Sequence, residues 1–188
     1  HNGQFQCHVG AATGIAFEPQ GRWFATIGAD KLARTWDGET YQWQKEFKGH
    51  EDGIVSLAIA PDGKTLITSA KDKTIRFWDV ETGEPVKVLD TSNPQAWRFA
   101  FGPEDSCLAE GTADGTIHLW DPDASKIRCT LSGHTSDVRS LVFTPDGQIL
   151  VSGSADQTIR IWEIESGQCL HTLSGHRGNI SAVAINPT

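Results

Sequence analysis

Methionine is absent from this 188-residue sequence, tyrosine occurs once, and no run of lysine and arginine is present. A phosphate backbone needs a dense positive footprint, so a chain of formal net charge -8 without such a run is expected to bind no nucleic acid. The same acidity repels anionic lipid surfaces. Apolar residues come in short groups such as Ile149-Leu150-Val151, far below the roughly 20 that span a bilayer, and no membrane partner is expected. The start His1-Asn2-Gly3-Gln4 lacks a signal-peptide apolar stretch, which points to the cytoplasm. With no initiating methionine, the sequence reads as an excerpt of a longer protein or a processed piece. Cys7, Cys107, Cys129 and Cys169 are scattered, with no C-x-x-C pair and no zinc-type Cys/His spacing. Free thiols are the expectation, with no metal and no cofactor.

What is present is a period. Trp36, Trp78, Trp120 and Trp162 stand 42 residues apart, as do Asp30, Asp72, Asp114 and Asp156, and Pro19, Pro61, Pro103, Pro145 and Pro187. Three residue series sharing one uninterrupted step define a repeat array, and a step of about 40 to 45 suits four strands per unit. Turn chemistry places those strands. In the last full unit Val138 to Thr144 is rich in β-branched and large apolar residues, and Pro145-Asp146-Gly147-Gln148 then supplies a tight turn. Ile149 to Ser154 forms the second strand, Thr158 to Trp162 the third and Gln168 to Leu173 the fourth. Pro19-Gln20-Gly21, Pro61-Asp62-Gly63 and Pro103-Glu104-Asp105 repeat the first turn. All sheets should be antiparallel. A sheet apolar on both faces must be covered on both, which radial stacking achieves without helices.

Gly49-His50, Gly133-His134 and Gly175-His176 open repeats, and Trp36-Asp37, Trp78-Asp79, Trp120-Asp121 and Trp162-Glu163 close third strands. With these marks in phase, the sequence resembles the WD-repeat β-propeller family along its whole length. The resemblance implies an all-β fold of four complete four-stranded blades plus partial terminal strands, in an incomplete ring. The bounds follow the step: a strand remnant at 1–8, repeats at 9–50, 51–92, 93–134 and 135–176, and the first strand of a further repeat at 177–188. Those two leftover strands lack the middle strands that would join them. The chain is therefore expected to belong to a longer propeller or to assemble with blades of another chain.

In the family a His, a Ser or Thr, an Asp and a Trp of each blade form a hydrogen-bonded tetrad. Carried over, the tetrads are His8, Thr26, Asp30 and Trp36; His50, Thr68, Asp72 and Trp78; and His134, Ser152, Asp156 and Trp162. A hydroxyl, an imidazole and a carboxylate also suggest a hydrolase triad. Recurrence in blade after blade, and a Trp N–H that needs a buried acceptor, favour structure. The third unit departs from the pattern. Thr91-Ser92 stands where Gly-His is due and Glu110 where the hydroxyl is due, so this blade cannot build a tetrad. Drift compensated by packing and a blade bent to a task are both open.

Partners of the family commonly bind the rim formed by the loops into the first strand and the turns between second and third strands. Mapped here, that rim carries Lys71, Gln95, Trp97, Asp137 and Arg139, and Trp and Arg are over-represented at interface hot spots. Trp97 also shares strand parity with Phe99 and Phe101, which leaves packing between blades as its other reading. Trp23 and Trp43, outside the pattern, are expected to pack. The acidic Glu39, Glu81, Asp123 and Glu165, two residues past each closing Trp-Asp or Trp-Glu pair, argue against a ubiquitin-ligase adaptor as partner. The expected function is a protein-protein interaction scaffold or sensor module, not an enzyme, binding other proteins or peptides at the rim. The rivals are a hydrolase-type enzyme at the channel mouth and a bare architectural spacer.

Overall fold

Each 42-residue step closes into one antiparallel sheet. The structure, a computed structural model, describes residues 6–90, 98–103, 107–121 and 126–186. The chain divides into two compact units, His1–Pro94 and Gln95–Thr188. In the first unit β1 (Ala12–Phe17), β2 (Trp23–Gly28), β3 (Ala33–Asp37) and β4 (Trp43–Phe47) make one blade, in that spatial order. The second blade is β5 (Ile54–Ile59), β6 (Thr65–Ala70), β7 (Thr74–Asp79) and β8 (Pro85–Asp90). In the other unit β9 (Arg98–Phe101), β10 (Leu108–Gly111), β11 (Ile117–Asp121) and β12 (Lys126–Leu131) form the third blade. The fourth is β13 (Val138–Phe143), β14 (Ile149–Ser154), β15 (Ile159–Glu163) and β16 (Cys169–Leu173). This is the all-β, four-bladed architecture expected from the repeat.

Alternation along the strands divides each sheet into two faces, and stacking covers them. In the first unit Trp23, Ala25, Ile27 and Ala33 of the first blade meet Ile54, Leu66 and Trp78 of the second in one buried core, with Leu57 and Ile59 against it. In the second unit Cys107, Ala109, Ile117 and Leu119 meet Val138, Phe143, Leu150 and Trp162, with Leu141 packed alongside. Each fully buried large aliphatic side chain contributes about 1.5–3 kcal/mol, so a blade derives much of its stability from its neighbour. Trp23 packs as expected, at 9 % exposure. Trp43 does not: it opens β4, opposite Trp36 on the outermost strand, and is 58 % exposed. Among the described residues no strand pairs with the outer edge of β4.

The segment expected as the first strand of a further repeat shows no strand over 177–186. It still follows the course of a first strand along the fourth blade: Ile180 N donates to Ser154 O at 2.9 Å, as Val138 N does to Thr112 O at 3.0 Å one step earlier, and Val183 N donates to Ser140 Oγ at 3.0 Å. A first strand pairs with a second, and this sequence does not contain that second strand.

The turn between second and third strands demands a left-handed residue right after its Asp. Lys31, Lys73 and Gln157 adopt it at φ 68, 68 and 72°. Gly115 fills the place in the third blade at φ +89°, where a Cβ would lie 2.4 Å from His134 O. Gly115→Ala is therefore expected to lower stability by about 1–3 kcal/mol. Lys73→Gly, which relieves a left-handed side chain, is expected to raise it by about 0.5–1 kcal/mol. Urea unfolding midpoints of the two variants check both signs.

Candidate functional site

The polar groups of each blade gather beneath the Trp of its third strand. In the second blade His50 reaches Asp72 through Nδ1 at 2.8 Å and Thr68 Oγ1 through Nε2 at 2.8 Å, and Trp78 Nε1 donates to the same hydroxyl at 2.8 Å. An indole N–H only donates and an ionised carboxylate only accepts. The direction of every bond follows: Trp78 N–H to Thr68, Thr68 O–H to His50 Nε2, and His50 Nδ1–H to Asp72. The imidazole is neutral, with its proton on Nδ1. His134, Ser152, Asp156 and Trp162 repeat the chain at 2.7–2.8 Å, and His8, Thr26, Asp30 and Trp36 at 2.8–2.9 Å.

Burial explains the charge states. Burial lowers the pKa of His50 against the raising effect of Asp72, and the charge of Arg76 adds to the lowering. His134 is lowered in the same way, with Arg160 in the place of Arg76. Burial raises Asp30, but hydrogen bonds from Arg34 and His8 more than offset this and hold it at about 2. Asp72 and Asp156 also stay below the usual carboxylate range through backbone and threonine donors. The would-be nucleophiles Thr68 and Ser152 are fully buried and hydrogen-bonded on both sides.

A fifth member completes the arrangement, and sequence reasoning missed it. Arg76 lies over the Trp78 ring and Arg160 over Trp162, each with its guanidinium carbon 5.9 Å from the ring centroid, a favourable cation–π geometry. The glycine of the Gly-His pair makes room: a Cβ on Gly49 would lie 2.7 Å from Arg76 Nη1, and one on Gly133 2.6 Å from Arg160 Nη1. In the first blade Cys7 replaces that glycine, and Arg34 turns to Asp30 at 2.9 Å, Glu46 at 2.8 Å and the carbonyl of Cys7 at 2.9 Å. The signal was available, because Arg34, Arg76 and Arg160 keep the 42-residue step and stand two before each Trp.

In the third blade the carboxyl of Glu110 takes the place of the hydroxyl. Trp120 Nε1 donates to Glu110 Oε2 at 2.6 Å, and the side chain is buried. Burial pushes the Glu110 pKa up, the indole bond opposes this, and the nearby Asp114 charge adds to the rise. Asp114 itself is held at about 2 by Thr112 and Thr116. The two carboxyls thus titrate far apart instead of repelling as a doubly ionised pair. His118 replaces the ring-stacked arginine and bonds Thr130 at 3.1 Å.

The rim residues fall into two groups. Lys71 is exposed in the first unit, its backbone N–H donating to Gly53 O at 3.1 Å in the turn. Asp137 and Arg139 sit where the chain enters β13, half exposed at 38 % and 41 % and 3.4 Å apart. Ala155 N donates to Asp137 O at 2.8 Å, which brings the β14–β15 turn to the same end of the blade. Gln95 and Trp97 lie outside the described residues. All four cysteines are free. Among the described residues no group of three or more His, Cys, Asp or Glu side chains is placed to hold a metal ion, and no helix is long and apolar enough to cross a membrane.

Four-stranded blades stacked by their Trp-bearing faces and pinned by buried His-Asp-hydroxyl-Trp chains define a repeat-built β-propeller protein of the WD type. The WD domain, G-beta repeat family profile matches residues 2–37, 41–79, 125–163 and 167–188, and the chain belongs to this family. Residues 80–124, which hold most of the blade that lacks a tetrad, are unmatched. No curated protein matches the chain.

Two outcomes test the site. Thr68→Val leaves the Trp78 N–H and His50 Nε2 without their partner and should cost about 3 kcal/mol by urea unfolding, whereas Thr68→Ser should cost under about 1.5 kcal/mol. The pH responses should oppose each other. The pKa values of His50 and His134 are depressed in the fold, so their stabilisation is present above the unfolded value near 6.5 and is lost as pH falls below it. The pKa of Glu110 is raised, so its stabilisation is complete below about 4.5 and is lost as pH rises through the folded value. Glu110→Gln should therefore gain on the native protein as pH rises above about 4.5. A pH-independent difference in unfolding midpoint would contradict the burial of an ionisable carboxyl.

Proposed function

We propose that this chain is a protein-protein interaction scaffold or sensor module of the cytoplasm that binds partners on the top rim of its blades. WD repeats as a family generally mediate protein-protein interactions. The observation that carries the reading here is the half-exposed Asp137–Arg139 pair at the strand-entry end of the fourth blade. The His–Asp pairs of the blades, His134–Asp156 and its equivalents, are buried and committed to the fold. Arginine is a frequent hot-spot residue, and its truncation costs roughly 2 kcal/mol or more when it anchors a partner. No catalytic residue is assigned, because the hydroxyls that resemble nucleophiles accept the indole N–H and donate to histidine out of solvent reach.

The module belongs to a larger propeller. Leu57 and Ile59, and Leu141 and Phe143, pack against the preceding blade in their units. Their equivalents one step earlier, Ile15 and Phe17, are 57 % and 62 % exposed, with Tyr41 also exposed at the same blade. A face built for a neighbouring sheet and left wet calls for one.

Arg139→Ala and Asp137→Ala, compared with the native chain in affinity pull-downs from a native extract, should each lower recovery of the partner. Equal recovery by all three would rule out the rim reading. For the larger propeller, light scattering of the isolated chain should give a mass above one chain that Phe17→Glu reduces. A compact monomer unaffected by Phe17→Glu would refute it.

A further inference from the structure

Of the glycines that precede a repeat histidine, Gly49 and Gly133 receive side chains of the following blade, and Gly175 does not. A Cβ on Gly49 would lie 2.7 Å from Arg76 Nη1 and 3.2 Å from Trp78 Cη2, and one on Gly133 2.6 Å from Arg160 Nη1 and 3.2 Å from Trp162 Cη2. A Cβ on Gly175 would meet no described atom within 4 Å. A cavity of about 260 Å³ opens there, lined by Ile159, Leu173, Ser174, Gly175 and His176. Its apolar walls are positions that other blades cover. Leu173 is 51 % exposed, whereas Phe47 and Leu131, which hold its place in other repeats, are each 1 % exposed. Ala33 and Ile117, in the place of Ile159, are fully buried.

The same end has two further unmet demands. His50 and His134 are buried and bonded to a hydroxyl and an Asp carboxylate. His176 is exposed, and one step on from Ser152 and Asp156 the sequence holds no residue to serve it. Residues 177–186 cover the fourth blade as a first strand would: a Cβ on Gly153 would lie 2.5 Å from Ile180 and 3.0 Å from Val183. Among the described residues no strand pairs with their other edge, and an unpaired edge is a template for an added strand. One hairpin meets all three demands, the kind that β6 and β7 make in the second blade. It carries Thr68 on its first strand, Asp72 at its turn, and Arg76 and Trp78 on its second strand.

We propose that the Gly175–His176 end of the fourth blade, together with residues 177–186, is an acceptor site for a β-hairpin supplied by a partner chain. The first strand of the hairpin pairs with 177–186, and its Ser or Thr hydroxyl donates to His176 Nε2. The Asp of its turn accepts the proton of His176 Nδ1. Its second strand sets the Arg and Trp of an Arg-x-Trp sequence into the cavity beside Gly175 and Leu173. The proposal rests on the reading of the chain as part of a larger propeller and names what the neighbour presents at this end.

The probe is a cyclic peptide of residues 64–80, closed through its ends, which lie together in the blade with Val80 N donating to Lys64 O at 2.9 Å. Labelled and titrated with the full chain, it should bind one to one by fluorescence polarisation. Its Trp78→Ala and Thr68→Val forms should each bind about tenfold more weakly. On the chain, Leu173→Glu, His176→Ala and Gly175→Ala should each lower affinity by a similar factor. Val86→Glu, which places the same charge on an apolar residue 63 % exposed in the other unit, should change nothing. Unfolding midpoints establish that each variant is folded. No binding of the peptide, equal binding of its Trp78→Ala form, or an equal loss in Val86→Glu overturns the proposal. A mass above one chain that Leu173→Glu reduces while the peptide stays unbound also overturns it, and puts a second copy at this end. If Phe17→Glu lowers the mass while the peptide does not bind, the larger propeller stands and the hairpin site does not. If the chain is a monomer indifferent to Phe17→Glu and the peptide does not bind, both fall.

Discussion

A sheet that is apolar on both faces has to be covered on both, and this requirement arranges everything else in each unit. It drives Trp78 and Trp162 to essentially zero exposure against the small and aliphatic residues of the preceding blade. An indole buried that deeply needs an acceptor for its N–H, or about 1–3 kcal/mol is lost. Thr68 and Ser152 supply it, their hydroxyl protons then need an acceptor, and the histidine supplies that. The carboxylate at the following turn takes the last proton at the edge of solvent. The tetrad is thus a route that carries one hydrogen-bonding demand from the core to the surface. That accounts for the Ser-His-Asp geometry by the hydrogen-bonding needs of the fold.

The third blade shows the same demand met differently. With the hydroxyl and the histidine both replaced, Trp120 still finds an acceptor, now the carboxyl of Glu110. The consequence is electrostatic. A neutral imidazole chain is stable while pH stays above the range of histidine, whereas a buried carboxyl is most comfortable protonated. One chain therefore combines blades weakened by acid with a blade weakened by its removal. The family profile leaves out most of that blade, in keeping with how much of the shared chemistry it has lost.

The repeat is also broken at the surface. Arg98 stands where other repeats have Gly14, Ser56, Ser140 and Ala182, Arg139 where they have Thr13, Val55, Trp97 and Ser181, and Arg98 Nε donates to the backbone carbonyl of Arg139. A core position that departs from the repeat needs compensation by packing. A rim position that departs costs the fold little and is free to serve a partner.

Much of this was legible in advance, because turn chemistry and alternation act locally and recur at one step. Ile149–Ser154 was placed to the residue, the two strands flanking it within a residue at each end, and His50, Thr68, Asp72 and Trp78 were grouped by a pattern that the hydrogen bonds then spell out. The ring-stacked arginines were visible in the same step but had no hydrogen-bond logic to single them out. By itself the sequence determined the fold, the number of blades and which blade lacks its tetrad, since those follow from residue types repeated at a fixed spacing. Only the tertiary structure decided that Trp43 is exposed, that Arg34 pairs with Asp30 while Arg76 stacks on Trp78, and that Arg98 joins Arg139. Each of these depends on what a neighbouring strand leaves uncovered, and spacing along the chain carries no information about that.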